Sequence, residues 1–475
     1  MVAAMLSDMD LLFYSCTVKI FEIIKRNLSA LAIVIIGVTC IWNCFNETRW
    51  ESTGVMSWDA ACYYAYLPQF INNKDSTLTI DELQHPDMAP SNRYVTAPNG
   101  NRVIKTSMGM SFMYLPFYLA GYVLHFFSSG NSGTGMEIEY REAMQFFGTF
   151  CLLSGLLLLR SMLKKYFSEG VIALTLLIIA LGTNALYYTT YEGCMSHIPD
   201  FMLFVIFLFC TQRWHLRPSL RNSIILGLLY GLIVLIRPTN ILAGWLFLLY
   251  NVSNWQEMKD RIFFLLLKWP MIVVMAIATI AVWIPQMVYW YHLTGQLFFY
   301  SYGIERFFFL KPKIFYGLLG GRKGWLIYTP MAWFMLLGFI FVPRYVKRML
   351  LPSLVLLVVF VYITFSWWCW WYGGSFGCRP IIDIYGILAF PLASLLAVVF
   401  EVPRKPAVKA TFFTLLLAMI SLNLFQTWQA KVGVIHYANM TYAAYGNVFL
   451  GTRPAPDSLL KDPPWGDAID GNYMP

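Results

Sequence analysis

An all-α polytopic membrane protein is the fold class this sequence predicts, and three observations predict it. Of its 475 residues, 58% are hydrophobic and 12% are charged, about half the charged share of a soluble domain. Apolar runs long enough to cross a bilayer recur along the chain, with short charged stretches between them. The basic residues gather in alternate connections, as the positive-inside rule requires.

Candidate spans fall near residues 28–45, 142–160, 170–188, 199–212, 222–236, 239–251, 265–290, 326–342, 349–367, 382–400 and 409–427, about eleven transmembrane helices. The first run, from Leu28 to Phe45, follows Lys19, Lys25 and Arg26 and has no small-residue cleavage site before Glu47. It therefore reads as a retained span rather than a signal peptide. With the N-terminus cytoplasmic, the inner connections hold Arg160, Lys164 and Lys165, then Arg213, Arg217 and Arg221, then Arg344, Lys347 and Arg348, then Arg404, Lys405 and Lys409. The net charge of +9 thus reports insertion topology and gives no support for a nucleic-acid partner. The nine cysteines form no CxxC pair and read as small hydrophobes.

Residues Met108 to Phe127 are also apolar, but a span there would move the Lys164 and Arg213 loops outside. With Gly109, Pro116 and Gly121 weakening a straight helix, the segment is placed as an interfacial or re-entrant helix within a long first extracytoplasmic loop of about residues 46–140. The organisation expected is a transmembrane domain over 1–427 and a short extracytoplasmic tail over 428–475.

Polar residues crowd the outer side. The first loop carries Asp59, Arg93, Arg102 and Lys105; Arg141 opens the second span, and Glu192, His197 and Asp200 flank the fourth. Arg237 ends the fifth before Pro238, and Arg379 and Asp383 open the tenth. An ionisable group at a helix centre costs about 2.5–3.5 kcal/mol on insertion scales and less near the interface, so several together predict an outward-facing polar cleft. A transporter or lipid-linked saccharide flippase is the rival reading, but it calls for midplane charges and duplicated halves, and neither is evident. No Walker loop or GxGxxG motif points to a soluble nucleotide donor.

The order of parts resembles the C-type superfamily of membrane glycosyltransferases, which includes protein O-mannosyltransferases and the lipid A aminoarabinose transferase. The shared parts are one span, an outer loop with an early acid (Asp59), a segment with Lys105, Gly109 and Leu115-Pro116-Phe117, then Arg141 opening the next span. The resemblance implies an inverting transferase that moves a sugar from a polyprenyl-phosphate donor to an extracytoplasmic glycan, lipid or protein acceptor. It implies a plasma membrane of the bacterial inner-membrane type, with the active site outside. Paired acids are frequent in the first loop of that family, whereas Ala60 follows Asp59 here. The short tail leaves no room for the large soluble C-terminal domain of oligosaccharyltransferases.

By the resemblance, Asp59 is the general base; the competing reading is a helix N-cap. Lys105, Arg141, Arg237 and Arg379 are candidates for the donor phosphate, since guanidinium and ammonium groups hold phosphate oxygens where water is scarce, although each could instead snorkel to the interface. Glu192 and His197 could orient the acceptor or share a divalent metal with Asp59, or form a structural His–Glu pair. Trp371 and Tyr372, in the run Trp367 to Gly374, could stack on a sugar ring or simply belong to an interfacial aromatic belt.

Overall fold

The computed structural model describes residues 26–73, 94–463 and 465–471. These residues are mostly helical, with one two-stranded hairpin among them. Arg93 lies outside the described residues.

Seven described helices are long and apolar enough to cross a membrane: Leu28–Glu51, Gly109–Ser129, Ile138–Leu163, Trp269–Thr294, Lys347–Ser366, Arg379–Phe400 and Pro406–Lys431. Six of them fall on expected spans. The seventh, Gly109–Ser129, is the segment assigned to the interface from its sequence. Three of the remaining regions are shorter or broken. Glu169–Leu181 and Ala185–Thr190 are separated at Gly182, and Leu220–Ile236 is followed by a 3₁₀ turn, Pro238–Ala243, and the short helix Gly244–Leu249. The region 326–342 divides into Trp325–Tyr328, Met331–Gly338 and Val342–Tyr345. His197–Leu216 is a continuous helix. Helix length alone therefore does not return the expected count of about eleven.

Pro116 was expected to weaken Gly109–Ser129, yet the helix runs through it unbroken. Its glycines are close-packing sites instead. A Cβ on Gly109 would come within 2.5 Å of the Ile236 backbone nitrogen, and one on Gly121 within 2.6 Å of Tyr140 Cα.

The fold is centred on the α-helix Tyr385–Phe400, which is apolar all round and buried from Tyr385 to Val399. Met331–Gly338 approaches it so closely that a Cβ on Gly338 would stand 2.0 Å from the Pro391 carbonyl oxygen. At the periphery Trp269–Thr294 exposes Ile277, Ile280, Ile284 and Val288, side chains suited to lipid. On its inner face it meets Gly227 and Gly231 of Leu220–Ile236, four residues apart, and Thr279 Oγ1 donates to the Gly227 carbonyl at 3.0 Å. That is the small-xxx-small packing of membrane helices.

Broken helices need outside partners for their freed backbone groups. Asn423, from Pro406–Lys431, donates through Nδ2 to the carbonyls of Leu181 and Thr183 at 2.9 and 2.7 Å, satisfying the break at Gly182. The hairpin pairs Tyr94–Thr96 with Arg102–Ile104 in antiparallel register, Tyr94 opposite Ile104. Asn99 and Asn101 donate to the Leu293 carbonyl at 2.7 and 2.8 Å, docking the hairpin on the end of Trp269–Thr294 and so placing Lys105.

Candidate functional site

Asp59 is the first residue of the helix Asp59–Tyr64; the N-cap position belongs to Trp58, and no side chain caps the helix. The capping reading of Asp59 therefore does not hold. Its Oδ2 accepts a hydrogen bond from Arg379 Nη2 at 2.8 Å, joining residues 320 apart in sequence. The Asp59 side chain is 47% exposed and that of Arg379 only 12%. Arg379 enters the 3₁₀ turn Arg379–Ile384 ahead of Pro380, just after Gly377, whose φ of 61° few other residues adopt.

Trp58 itself has φ 55° and ψ −128°, a region that costs an L-residue about 1–3 kcal/mol. The loop before it is firmly tied. Arg49 donates to the Gly54 carbonyl and, at 2.8 Å, to that of Tyr191, over whose ring its guanidinium lies at 4.0 Å. Ser57 Oγ donates to the Gly54 carbonyl at 3.0 Å.

A second ion-paired group adjoins the first. Pro238 disfavours helical geometry in the preceding residue, and Arg237 is extended at the end of Leu220–Ile236. Its Nη1 donates to Asp383 Oδ2 at 2.8 Å, while His197 Nδ1 lies 2.9 Å from Asp383 Oδ1. With the Nδ1 proton directed at Asp383, the 3.2 Å approach of Arg237 to the same nitrogen is a contact rather than a hydrogen bond. Asp383 is completely buried, and so is Asp200. Lys105 pairs with Glu305 and lies 5.5 Å from the centre of the Tyr302 ring.

Shared electrostatics connect these groups. Burial pushes the Tyr302 phenol up, with Asp59 acting in the same direction and Arg237 against it. Burial likewise raises Tyr63, with Asp59 reinforcing and Arg237 and Arg379 opposing. The Glu192 carboxyl is pushed up by burial, while Arg379 and Arg49 oppose and Asp59 reinforces the shift; Tyr187 donates to it at 3.4 Å. Thus Asp59, Glu192, Arg237 and Arg379, far apart in sequence, act on one small region.

The remaining expected residues divide. Tyr372 faces this region, 5.8 Å from Arg237 to its ring centre, with φ 56° and its hydroxyl donating to the Thr364 carbonyl at 3.0 Å. Trp371 does not offer an open stacking face: it is 1% exposed and packed against Trp370 and against Trp465 of the tail, at 5.6 and 5.3 Å between ring centres. Arg141 joins none of these ion pairs; its helix, Ile138–Gln145, packs on Gly109–Ser129 and on the turns Arg49–Glu51 and Thr53–Met56. His197 is engaged by Asp383 rather than Glu192, so the His–Glu pair is not found.

Among the described residues no three His, Cys, Asp or Glu side chains gather to hold a divalent metal, Asp59 is met by a cation, and His197 presents Nδ1 to Asp383.

Sequence reasoning missed the importance of Glu305 and Tyr302, whose signal was a lone acid in an aromatic outer loop. Lys323, which with Arg322 forms a basic pair after Gly320-Gly321 and is a looser phosphate candidate from the sequence, is buried and donates to the carbonyls of Ser375 and, at 2.6 Å, Tyr437.

No family model matches the sequence, and no curated protein matches it. Solved structures do. The archaeal oligosaccharyltransferase AglB from Archaeoglobus fulgidus, in complex with an inhibitory peptide and a dolichol-phosphate, superposes with a TM-score of 0.50 at 13% identity, covering 94% of this chain and 64% of that one. The likeness establishes the fold. The apo form of the A. fulgidus oligosaccharyltransferase gives the same TM-score and identity over 93% of this chain and 63% of that one, and the form with zinc and sulfate gives 0.49. The chain thus spans just under two thirds of the length of these neighbours and shares the fold of the A. fulgidus oligosaccharyltransferase over that stretch.

Proposed function

We propose that this integral membrane protein is an inverting glycosyltransferase, taking a sugar from a polyprenyl-phosphate carrier and placing it on an extracytoplasmic acceptor. The observation that carries the reading is the Asp59–Arg379 pair, a half-exposed carboxylate held 2.8 Å from a buried guanidinium. The fold likeness to an oligosaccharyltransferase structure containing a dolichol-phosphate supports it.

In the proposed reaction an acceptor hydroxyl attacks the anomeric carbon from the face opposite the phosphate, and its proton passes to the Asp59 carboxylate. The new C–O bond forms as the carbon–phosphate-oxygen bond breaks, inverting the anomeric centre. The electron pair leaves on the lipid phosphate. A phosphate is a competent leaving group and needs cationic stabilisation more than protonation. Arg379 and Arg237 supply that charge, and Lys105 adds to it when it turns from Glu305. The proposed order of groups is a cationic, buried donor side and an open acceptor side, with Asp59 between them.

Lipid extracts of cells lacking this chain test the reading. A polyprenyl-phosphate sugar should accumulate, and an unchanged polyprenyl-lipid profile with intact surface glycans would count against it.

A further inference from the structure

Trp58 holds the most exposed position beside the proposed base. Its indole is 74% exposed, whereas the adjoining Ala60 and Ala61 are buried. The backbone that presents it is strained, with φ 55° and ψ −128°, yet it is not slack: the Trp58 carbonyl accepts from Ala61 N at 3.1 Å, and the preceding turn is tied by Arg49 and Ser57. A bulky residue kept in a disfavoured conformation by surroundings that fix it is a frequent mark of a functional site. Among the described residues little packs against the Trp58 side chain.

Resting on the transferase reading, we propose that Trp58 is a stacking platform for a pyranose ring of a saccharide acceptor. Arg379 holds Asp59 and is itself nearly buried, where a lipid phosphate would sit, whereas Trp58, the residue before Asp59, is exposed and in this reading meets the arriving acceptor. A pyranose has an apolar C–H face that suits an indole, and it carries the hydroxyl whose proton Asp59 would take. The acceptor is therefore a glycan or a glycolipid headgroup. Trp371, the other aromatic candidate, is closed off by Trp465 and cannot serve.

The test uses the full chain in lipid nanodiscs, labelled with 5-fluorotryptophan, with the Trp58 fluorine resonance assigned by its loss in Trp58→Phe. Methyl α-mannopyranoside, methyl β-glucopyranoside and N,N′-diacetylchitobiose are titrated, with glycerol as a ring-free control. The expected result is a saturable shift of the Trp58 resonance with at least one glycoside and none with glycerol. Trp58→Gly, which removes the ring and relieves the backbone, should fold with an undiminished melting temperature and bind that glycoside about tenfold more weakly. A resonance that ignores every glycoside, or answers glycerol equally, overturns the proposal and leaves Trp58 as an interfacial aromatic. Because binding is read without turnover, glycoside binding by a protein that transfers no sugar would contradict the transferase reading alone. Sugar transfer with a silent Trp58 would contradict the stacking subsite alone.

Discussion

Arg379 and Asp59, 320 residues apart, form an ion pair of 2.8 Å at the point where the first outer loop meets the central buried helix. The pair ties the long loop, which the hairpin and Lys105 anchor at its far end, to the central buried helix. It also determines which side of Asp59 stays open.

The neighbouring Asp383 is buried and holds Arg237 and His197 with separate oxygens. Removing one partner of a buried pair leaves an uncompensated charge, at a cost of about 3–5 kcal/mol. Asp383→Ala should lower stability in detergent by about 3 kcal/mol, read by thermal or denaturant unfolding. Asp383→Asn, which still accepts from Arg237, should lose less. Equal losses would show that charge is not what Asp383 contributes.

The close approach of Gly338 to Pro391 leaves no room for a side chain, since a Cβ would stand 2.0 Å from a carbonyl oxygen. Gly338→Ala should destabilise by about 1–3 kcal/mol. Gly446→Ala, where a Cβ meets nothing within 4 Å, is the control. A melting temperature equal in the two variants would mean that the helices separate freely there.

Lys323 predicts a pH dependence. Burial first, then Arg322 and Arg379, lower its amine from 10.5 to about 7. Between those values the unfolded chain holds a proton that the folded chain does not, so unfolding takes up a proton and stability rises with pH; below about 7 both states are protonated and the buried charge is fully felt. The melting temperature should rise from about pH 7 towards pH 10, and Lys323→Met should flatten the rise. The same slope in both proteins would assign it to other groups.

The depth of Gly109–Ser129 can be read from two cysteines. If the helix stays in the outer interface, Lys105→Cys and Lys164→Cys are separated by one crossing and are labelled by an impermeant maleimide from opposite sides. Labelling of both from one side would make Gly109–Ser129 a true span.

The groups of the site were legible in the sequence because charge stands out against apolar surroundings: Asp59, Glu192, Arg237 and Arg379 each interrupt a hydrophobic stretch. Their pairings were not legible. Arg237 reaches Asp383 because Pro238 disfavours helix at the residue before it, and Lys105 reaches Glu305 because a hairpin docks on Leu293; neither follows from spacing along one helix. Trp371 looked like an interfacial aromatic until the tail returned Trp465 to cover it. Pro116 and Gly121 carry helix-breaking propensities, yet the helix continues through both, and Gly121 seats Tyr140 of the neighbouring helix. Composition and periodicity reveal which residues a membrane fold must explain, while tertiary contacts decide which of them meet.

The central claim is that Asp59 removes the acceptor proton, and the Asp59→Asn variant tests it most directly. Reconstituted in vesicles with a polyprenyl-phosphate sugar and acceptor, it should insert, melt close to the wild type and lose transfer by about a hundredfold or more. Transfer at the wild-type rate by a correctly inserted Asp59→Asn protein would contradict the account.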